Sequence, residues 1–209
     1  MHRFRARLLT ASLSGLFGLG LFASVVTAPG VAHAEASAIE AFKAQHEAVV
    51  KLVKDNASDA KLQAAVDGLL DYDWIAQAAL GGPSNYAGVC QSRCDEFEAL
   101  LTQLIRENYL RMIRKAEKHP VDYVGQVAGK DGVYKVTTRI KVDKNGREQV
   151  VTVEYVMHQI GGTWQVRDII TDDVSLAKTY RYEFNKIAKS NGIDGIIRKL
   201  EDKLAKLGD

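Results

Sequence analysis

The chain has 209 residues, of which 46% are hydrophobic and 26% charged, with 28 basic side chains against 26 acidic ones and a formal charge of +2. So even a balance creates no global field to gather nucleic acid, and the length suits one domain with a sizeable core rather than two.

At the N-terminus, Arg3, Arg5 and Arg7 precede an apolar stretch from Leu8 to about Ala28, and Ala32-His33-Ala34 follows. This is the pattern of a secretory signal with a small-x-small cleavage site. A membrane anchor is the competing reading; Ser12, Ser14, the helix-weakening glycines and proline and the Ala-x-Ala end favour removal after Ala34. Residues 1–34 are therefore expected to be a removed signal peptide and 35–209 a single domain. Loss of the three arginines brings the charge close to zero. No later apolar run approaches bilayer-spanning length, so the mature protein is expected to be soluble.

Apolar positions Ile39, Phe42, Val49, Val50 and Val53 recur at helical spacing between Ser37 and Asp55, with His46 on the same stripe. Asn56-Ala57-Ser58-Asp59 reads as a break and a new N-cap, and Leu62, Val66, Leu69 and Leu70 mark a second helix. A short third segment, Trp74 to Leu80, stops at Gly81-Gly82-Pro83. Beyond a cysteine loop, Phe97, Leu101, Leu104, Ile105, Tyr109, Met112 and Ile113 line a long helix, which His119-Pro120 ends.

The period then changes from helix to strand. Val121 to Val127 forms a first strand. Tyr134, Val136, Thr138, Ile140 and Val142 alternate against Lys135, Thr137, Arg139 and Lys141 in a second, giving a sheet with one dry and one wet face. Asp143-Lys144-Asn145-Gly146 supplies hairpin turn chemistry, and Glu148 to Ile160 is a third strand with Val151, Val153, Tyr155 and Met157 on one face. Gly161-Gly162 turns the chain into a last strand beginning at Trp164 and Val166. Two helices close the sequence, one on Leu176, Tyr180, Phe184 and Ile187, the other on Ile193, Ile196, Ile197, Leu200 and Leu204, with Ser190-Asn191-Gly192 between them. The expected fold class is α+β, a four-stranded antiparallel meander packed with N-terminal and C-terminal helices.

The two cysteines, Cys90 and Cys94, lie four apart in an exported chain, where thiols tend to be oxidised. A disulfide closing so short a loop is a local staple at a helix entrance, worth about 2 kcal/mol on chain-entropy grounds. A metal half-site would need two further ligands nearby, and a redox pair normally has two intervening residues rather than three.

No set of acids, bases or nucleophiles converges on a catalytic pattern. His119 sits at a helix end, His46 is a rim or core residue, and strict alternation turns His158 away from the dry face. Asp172-Asp173 is expected to cap the following helix. Asp168 either pairs with a base such as Arg181 or bonds turn amides, with a buried catalytic acid as the alternative. G-x-S-x-G, P-loop, H-E-x-x-H and dinucleotide fingerprints are all absent from the sequence. What is abundant is apolar surface on the dry sheet face and the helical stripes, which either fills a core or lines a ligand cavity.

Four stretches carry a resemblance: YDWIAQAALG (Tyr72 to Gly81), EFEALLTQLIRENYLRMI (Glu96 to Ile113), WQVRDIITDDVSLAKTYRYEF (Trp164 to Phe184) and NGIDGIIRKLEDKL (Asn191 to Leu204). In that order they resemble the MlaC family of periplasmic phospholipid carriers, the toluene-tolerance proteins. None of the stretches is a catalytic signature. The resemblance implies a non-enzymatic carrier without a cofactor, built as a nuclear-transport-factor-like cone with an apolar cavity for acyl chains. It also implies a periplasmic shuttle between an outer-membrane lipoprotein–porin complex and an inner-membrane ABC transporter with an MlaD-type ring. The chain departs from the family pattern at Gly82 to Cys94, where it has Asn85-Tyr86 and the two cysteines.

On alternation and stripe position, the cavity walls are assigned to Tyr109, Met112, Val136, Ile140, Val153, Tyr155, Met157, Trp164, Val166, Leu176, Tyr180, Phe184 and Ile187, residues that would equally serve as ordinary core. Lys178 and Arg181 are candidates to meet a head-group phosphate, with solvated or salt-bridged roles left open. Two alternatives also stay open: a carrier of another apolar cargo such as a sterol-like lipid, and a cone-fold isomerase or hydratase using Asp168 or His158.

Overall fold

A capping box starts the first helix, α1 (Ala38–Lys54): the Glu40 amide donates to Ser37 Oγ at 3.4 Å, and the Ser37 amide donates back to the Glu40 carboxylate at 3.0 Å. The computed structural model describes residues 37–116, 118–144 and 147–208. The expected signal segment and the Asn145-Gly146 turn lie outside the described residues. Phe42, His46, Val49 and Val53 form the buried stripe of α1, as their spacing predicts.

Helix α2 (Asp59–Leu69) passes to α3 (Tyr72–Ala79) through Leu70-Asp71. The Asp71 carboxylate accepts from the Trp74 amide at 3.1 Å, capping α3, and pairs with Arg167 at 2.8 Å. The Arg167 guanidinium lies 5.7 Å from the Trp74 ring centre. The acid–aromatic start of this stretch is thus a clamp between α3 and the sheet.

Gly81-Gly82-Pro83 ends the third helical segment as expected, but where a cysteine loop was expected to follow it opens a further helix, α4 (Pro83–Cys90). Proline at the first helical position lacks only an amide that has no helical partner anyway, and Gly82 takes φ 98° ahead of it. Cys90 and Cys94 are disulfide-bonded, with their Cα atoms 4.8 Å apart, at the entrance of the long helix α5 (Cys94–Ala116). The segment that departs from the family pattern is tied down further. The Tyr86 hydroxyl lies 3.1 Å from Glu98 Oε2, and Arg93 pairs with Glu96 at 2.7 Å and with Asp194.

The sheet has five strands in the order β1 (Val121–Ala128), β2 (Tyr134–Lys144), β3 (Arg147–Ile160), β4 (Thr163–Thr171) and β5 (Val174–Ser175), all antiparallel to their neighbours and not closed into a barrel. The fifth strand corrects the expected four. Asp172 and Asp173 have φ of 46° and 67°, so they form the two-residue turn that pairs Thr171 with Val174, the turn chemistry that right-twisted strands prefer. They do not cap the next helix. That role falls to Asp168 and Ser175: the Ala177 amide donates to Asp168 Oδ1 at 3.0 Å, Ser175 Oγ donates to Asp168 Oδ2 at 2.6 Å, and the Lys178 amide donates to Ser175 Oγ at 3.1 Å. Asp168 therefore bonds turn amides rather than Arg181.

The last helix, α6 (Leu176–Gly208), bends at Gly192, where φ 60° and ψ −159° interrupt it as the sequence predicts. A Cβ on Gly195 would stand 2.4 Å from Asn191 Cβ, so the second glycine of Gly-Ile-Asp-Gly lets the bend close.

Helices cover one face of the sheet. Val136, Thr138, Ile140, Val153, Tyr155 and Met157 point into it and are buried. The other face carries the basic residues, and Lys135–Glu154 at 2.9 Å and Lys141–Glu148 at 3.0 Å pair across strands there. This is a solvated face on which Lys135 and Lys141 are paired and Arg139 is exposed.

Candidate functional site

The inner face is not uniformly filled. Three cavities lie under the C-terminal half of α5. The first, about 440 Å³, is walled by Val50, Ile113, Val121, Tyr123, Ile140 and Tyr155 and reaches His46. The second, about 380 Å³, lies between Asn108, Ala116, Ile140, Val142, Val151, Val153 and Thr171. The third, about 310 Å³, lies between Ile105, Tyr109, Ile169, Leu176 and Tyr180. Each falls within or close to the about 300–1,000 Å³ typical of ligand pockets. Met112 borders all three. As an unbranched, half-buried side chain with three rotatable bonds, it partitions the space without fixing the partition.

A register shift decides which β4 residues reach this space. Met157 pairs with Val166 but Val156 pairs with Asp168, so Arg167 is an extra residue in the strand. The alternation that starts at Trp164 and Val166 is reset beyond the bulge. Ile169 and Thr171 become the wall residues of that stretch. Simple alternation assigned neither, because a one-residue insertion leaves no trace in hydrophobic period.

Of the wall residues assigned from sequence, Tyr109, Met112, Ile140, Val153, Tyr155, Leu176 and Tyr180 border the three cavities. Val136, Met157, Val166 and Phe184 are fully buried but border none of the three. They lie in the packed part of the core, where the Phe184 ring meets Phe97 at 5.7 Å. Trp164 meets the Tyr134 ring edge-on at 5.4 Å. Ile187 faces a separate groove, about 1030 Å³ and open, beside the bend of α6 with Tyr182, Lys186 and Arg198. Lys178 and Arg181 are exposed on α6 and border none of these spaces. The cations bordering these spaces are instead Lys51 and Lys54 at the first cavity, where Glu47 and Asp55 also line the rim and Asp55 pairs with Lys51, and Arg111 and Lys115 at the second. Their sequence signal was only a charged flank to an apolar stripe.

The walls are electrically quiet. His46 is 2% exposed, shares a 2.8 Å hydrogen bond with the Tyr123 hydroxyl, and is pushed down by burial to a pKa of about 4, so it is neutral at physiological pH. Burial likewise pushes the phenols of Tyr109, Tyr123 and Tyr155 above the usual range and that of Tyr180 up to about 12. The buried wall residues are neutral, and the charged residues that border the cavities, Glu47, Lys51, Lys54 and Asp55 at the first and Arg111 and Lys115 at the second, are exposed. Of the two catalytic alternatives, Asp168 is committed to accepting from Ser175 Oγ and from the Ile169 and Ala177 amides, and His158 lies on the other sheet face. Among the described residues no group of three or more His, Cys, Asp or Glu side chains is arranged to hold a metal ion.

A solved structure described as the phospholipid-binding protein from Ralstonia solanacearum in complex with a phospholipid is similar to this chain, with a TM-score of 0.64. The match covers 83% of this chain and 100% of that one at 21% identity, and it shows a shared fold. No curated protein sequence matches. The family model described as MlaC protein matches residues 38–202, from the first turn of α1 to the last turns of α6. The chain belongs to the MlaC family.

Proposed function

We propose that this protein is a periplasmic phospholipid carrier that holds acyl chains in the space under α5 and leaves the head group at its mouth. The observation that carries the reading is the set of three apolar-walled cavities meeting at one flexible side chain, Met112. Rotation of Met112 would merge them into one branched chamber beneath the sheet, the cone-like cavity expected of the fold. Each buried methylene is worth about 0.8 kcal/mol, so two fatty tails cross water only inside a wall free of charge, which the buried residues of these cavities supply. Membership of a family of lipid-transport proteins supports the reading, as does the phospholipid bound by the Ralstonia relative.

On this reading residues 1–34 direct export and are removed, and the carrier exchanges cargo with an outer-membrane lipoprotein–porin complex and with an inner-membrane MlaD-type ring and its ABC transporter. Docking is transient. The test is native mass spectrometry and lipid extraction of the protein purified from the periplasm. A two-chain phospholipid at one per protein is expected. Protein that is lipid-free and also refuses labelled phospholipid overturns the proposal, and a single rigid-ring ligand would replace it with a sterol-type carrier.

A further inference from the structure

The bases of α5 divide by the face they occupy. Arg106 pairs with Asp67 at 2.7 Å and Arg114 with Asp59 at 3.6 Å, both acids belonging to α2. Arg111 and Lys115 border the second cavity instead, and neither forms an ion pair with an acid among the described residues. Arg111 Nη2 donates to the Leu207 carbonyl at 2.6 Å, which steadies the guanidinium while using one of its several N–H donors. Both side chains are exposed, and the rest of that lining is apolar except for Asn108 and Thr171. The first cavity is built differently: Glu47 and Asp55 border it beside Lys51 and Lys54, and Lys51 is paired with Asp55. Among the described residues no charged side chain borders the third. The second cavity is thus the one whose rim carries positive charge with no acid to balance it.

We propose that Arg111 and Lys115 hold the phosphate of the bound lipid at the second cavity and so favour glycerophospholipids of net negative charge over zwitterionic ones. This inference rests on the carrier reading of the same space. A head group left at the mouth reaches both side chains from solvent, with no buried group to uncover. Asn108, Arg111 and Lys115 stand three and four residues apart, so they share one face of α5 and form a row of donors along the rim. The guanidinium fork matches two phosphate oxygens, and the ammonium adds a point charge. Once one phosphate charge is met, one positive charge remains. An ethanolamine ammonium is repelled there and finds no bordering carboxylate, whereas a glycerol head group brings no second charge. Because both bases are exposed, the preference is modest and weakens with salt.

The experiment incubates the mature protein with vesicles holding phosphatidylglycerol and phosphatidylethanolamine in equal amounts with identical deuterated acyl chains, and measures the deuterated lipids on the reisolated protein by mass spectrometry. Wild type is expected to carry phosphatidylglycerol over phosphatidylethanolamine by about 5-fold at low salt, falling below about 2-fold near roughly 0.5 M salt. Arg111→Gln with Lys115→Gln should carry the two equally. Lys115→Gln alone, which breaks no hydrogen bond among the described residues, should fall to about 2-fold. Lys178→Gln, at a base bordering none of the cavities, should keep the wild-type ratio. Both lipids share one vesicle, so attraction of the protein to an anionic surface changes total uptake and not the ratio. A wild-type ratio near one, or a preference that survives in the double variant, overturns the inference alone. Lower total uptake at an unchanged ratio in the double variant assigns the two bases to membrane docking and overturns it likewise. Failure of wild type to take up either lipid overturns the carrier reading and this inference with it.

Discussion

The inner sheet face has two ends made of the same residue types, and they behave differently. At one end Val136, Met157 and Val166 are 0% exposed in solid packing, with Leu70 bridging directly onto Val166 and the Asp71–Arg167 pair closing the edge. At the other, Ile140 and Val153 are as deeply buried, at 7% and 1%, yet they border open space under Met112 and Ala116. Burial by itself therefore does not distinguish a filled core from a chamber wall. The element overhead does. Backbone-bridged Leu70 brings α2 and α3 tight against β4, whereas α5 presents a flexible methionine and an alanine over the other end.

Truncation is the strongest way to separate the two ends. Met157→Ala should lose about 2–5 kcal/mol in urea unfolding, because its neighbours cannot collapse into the gap. Met112→Ala should lose less than about 1 kcal/mol, since it only enlarges space already present. Equal losses would erase the distinction between a packed end and a chamber end.

Next in size is a pH effect confined to the chamber end. His46 has a folded pKa of about 4 against an ordinary 6.5, so the unfolded chain binds its proton first. Its contribution is fully present above about pH 7 and is lost as pH falls from 6.5 through 4, by on the order of 3 kcal/mol. His46→Asn keeps a polar partner for Tyr123 and cannot titrate, so denaturation curves of this variant should lack that part of the acid slope. An unchanged slope would place the titration elsewhere.

The smallest effect on the fold is the most direct on cargo. Met112→Trp would fill the junction of the three cavities and should cut phospholipid loading at least about tenfold, roughly 1.4 kcal/mol, with little change in melting temperature. Full loading of this variant would mean that lipid does not pass Met112.

Much of this architecture was legible in the chain. Helical stripes located α1, α2, α5 and both halves of α6, the alternation of β2 and β3 assigned the correct inner face, and Gly192 marked the bend where φ 60° occurs. These features are local: periodicity and turn chemistry act within a few residues and are written into neighbouring side chains. Helix α4 was missed because Gly-Gly-Pro reads as a stop, although the proline suits a helix start. Asp168 was legible as a polar residue in an apolar strand, but not as the cap that ties β4 to α6.

The chamber itself was decided only in three dimensions. The sequence alone determined which faces are apolar, that the cysteines stand within bridging distance along the chain, and that no catalytic motif interrupts the pattern. It could not show that an extra Arg167 turns Ile169 and Thr171 inward, or that Met112 rather than a tight-packing residue spans the gap above Ile140 and Val153. The physical reason is that an apolar stripe records preference for leaving water, whereas empty volume depends on how closely two such stripes are held by contacts distant in the chain.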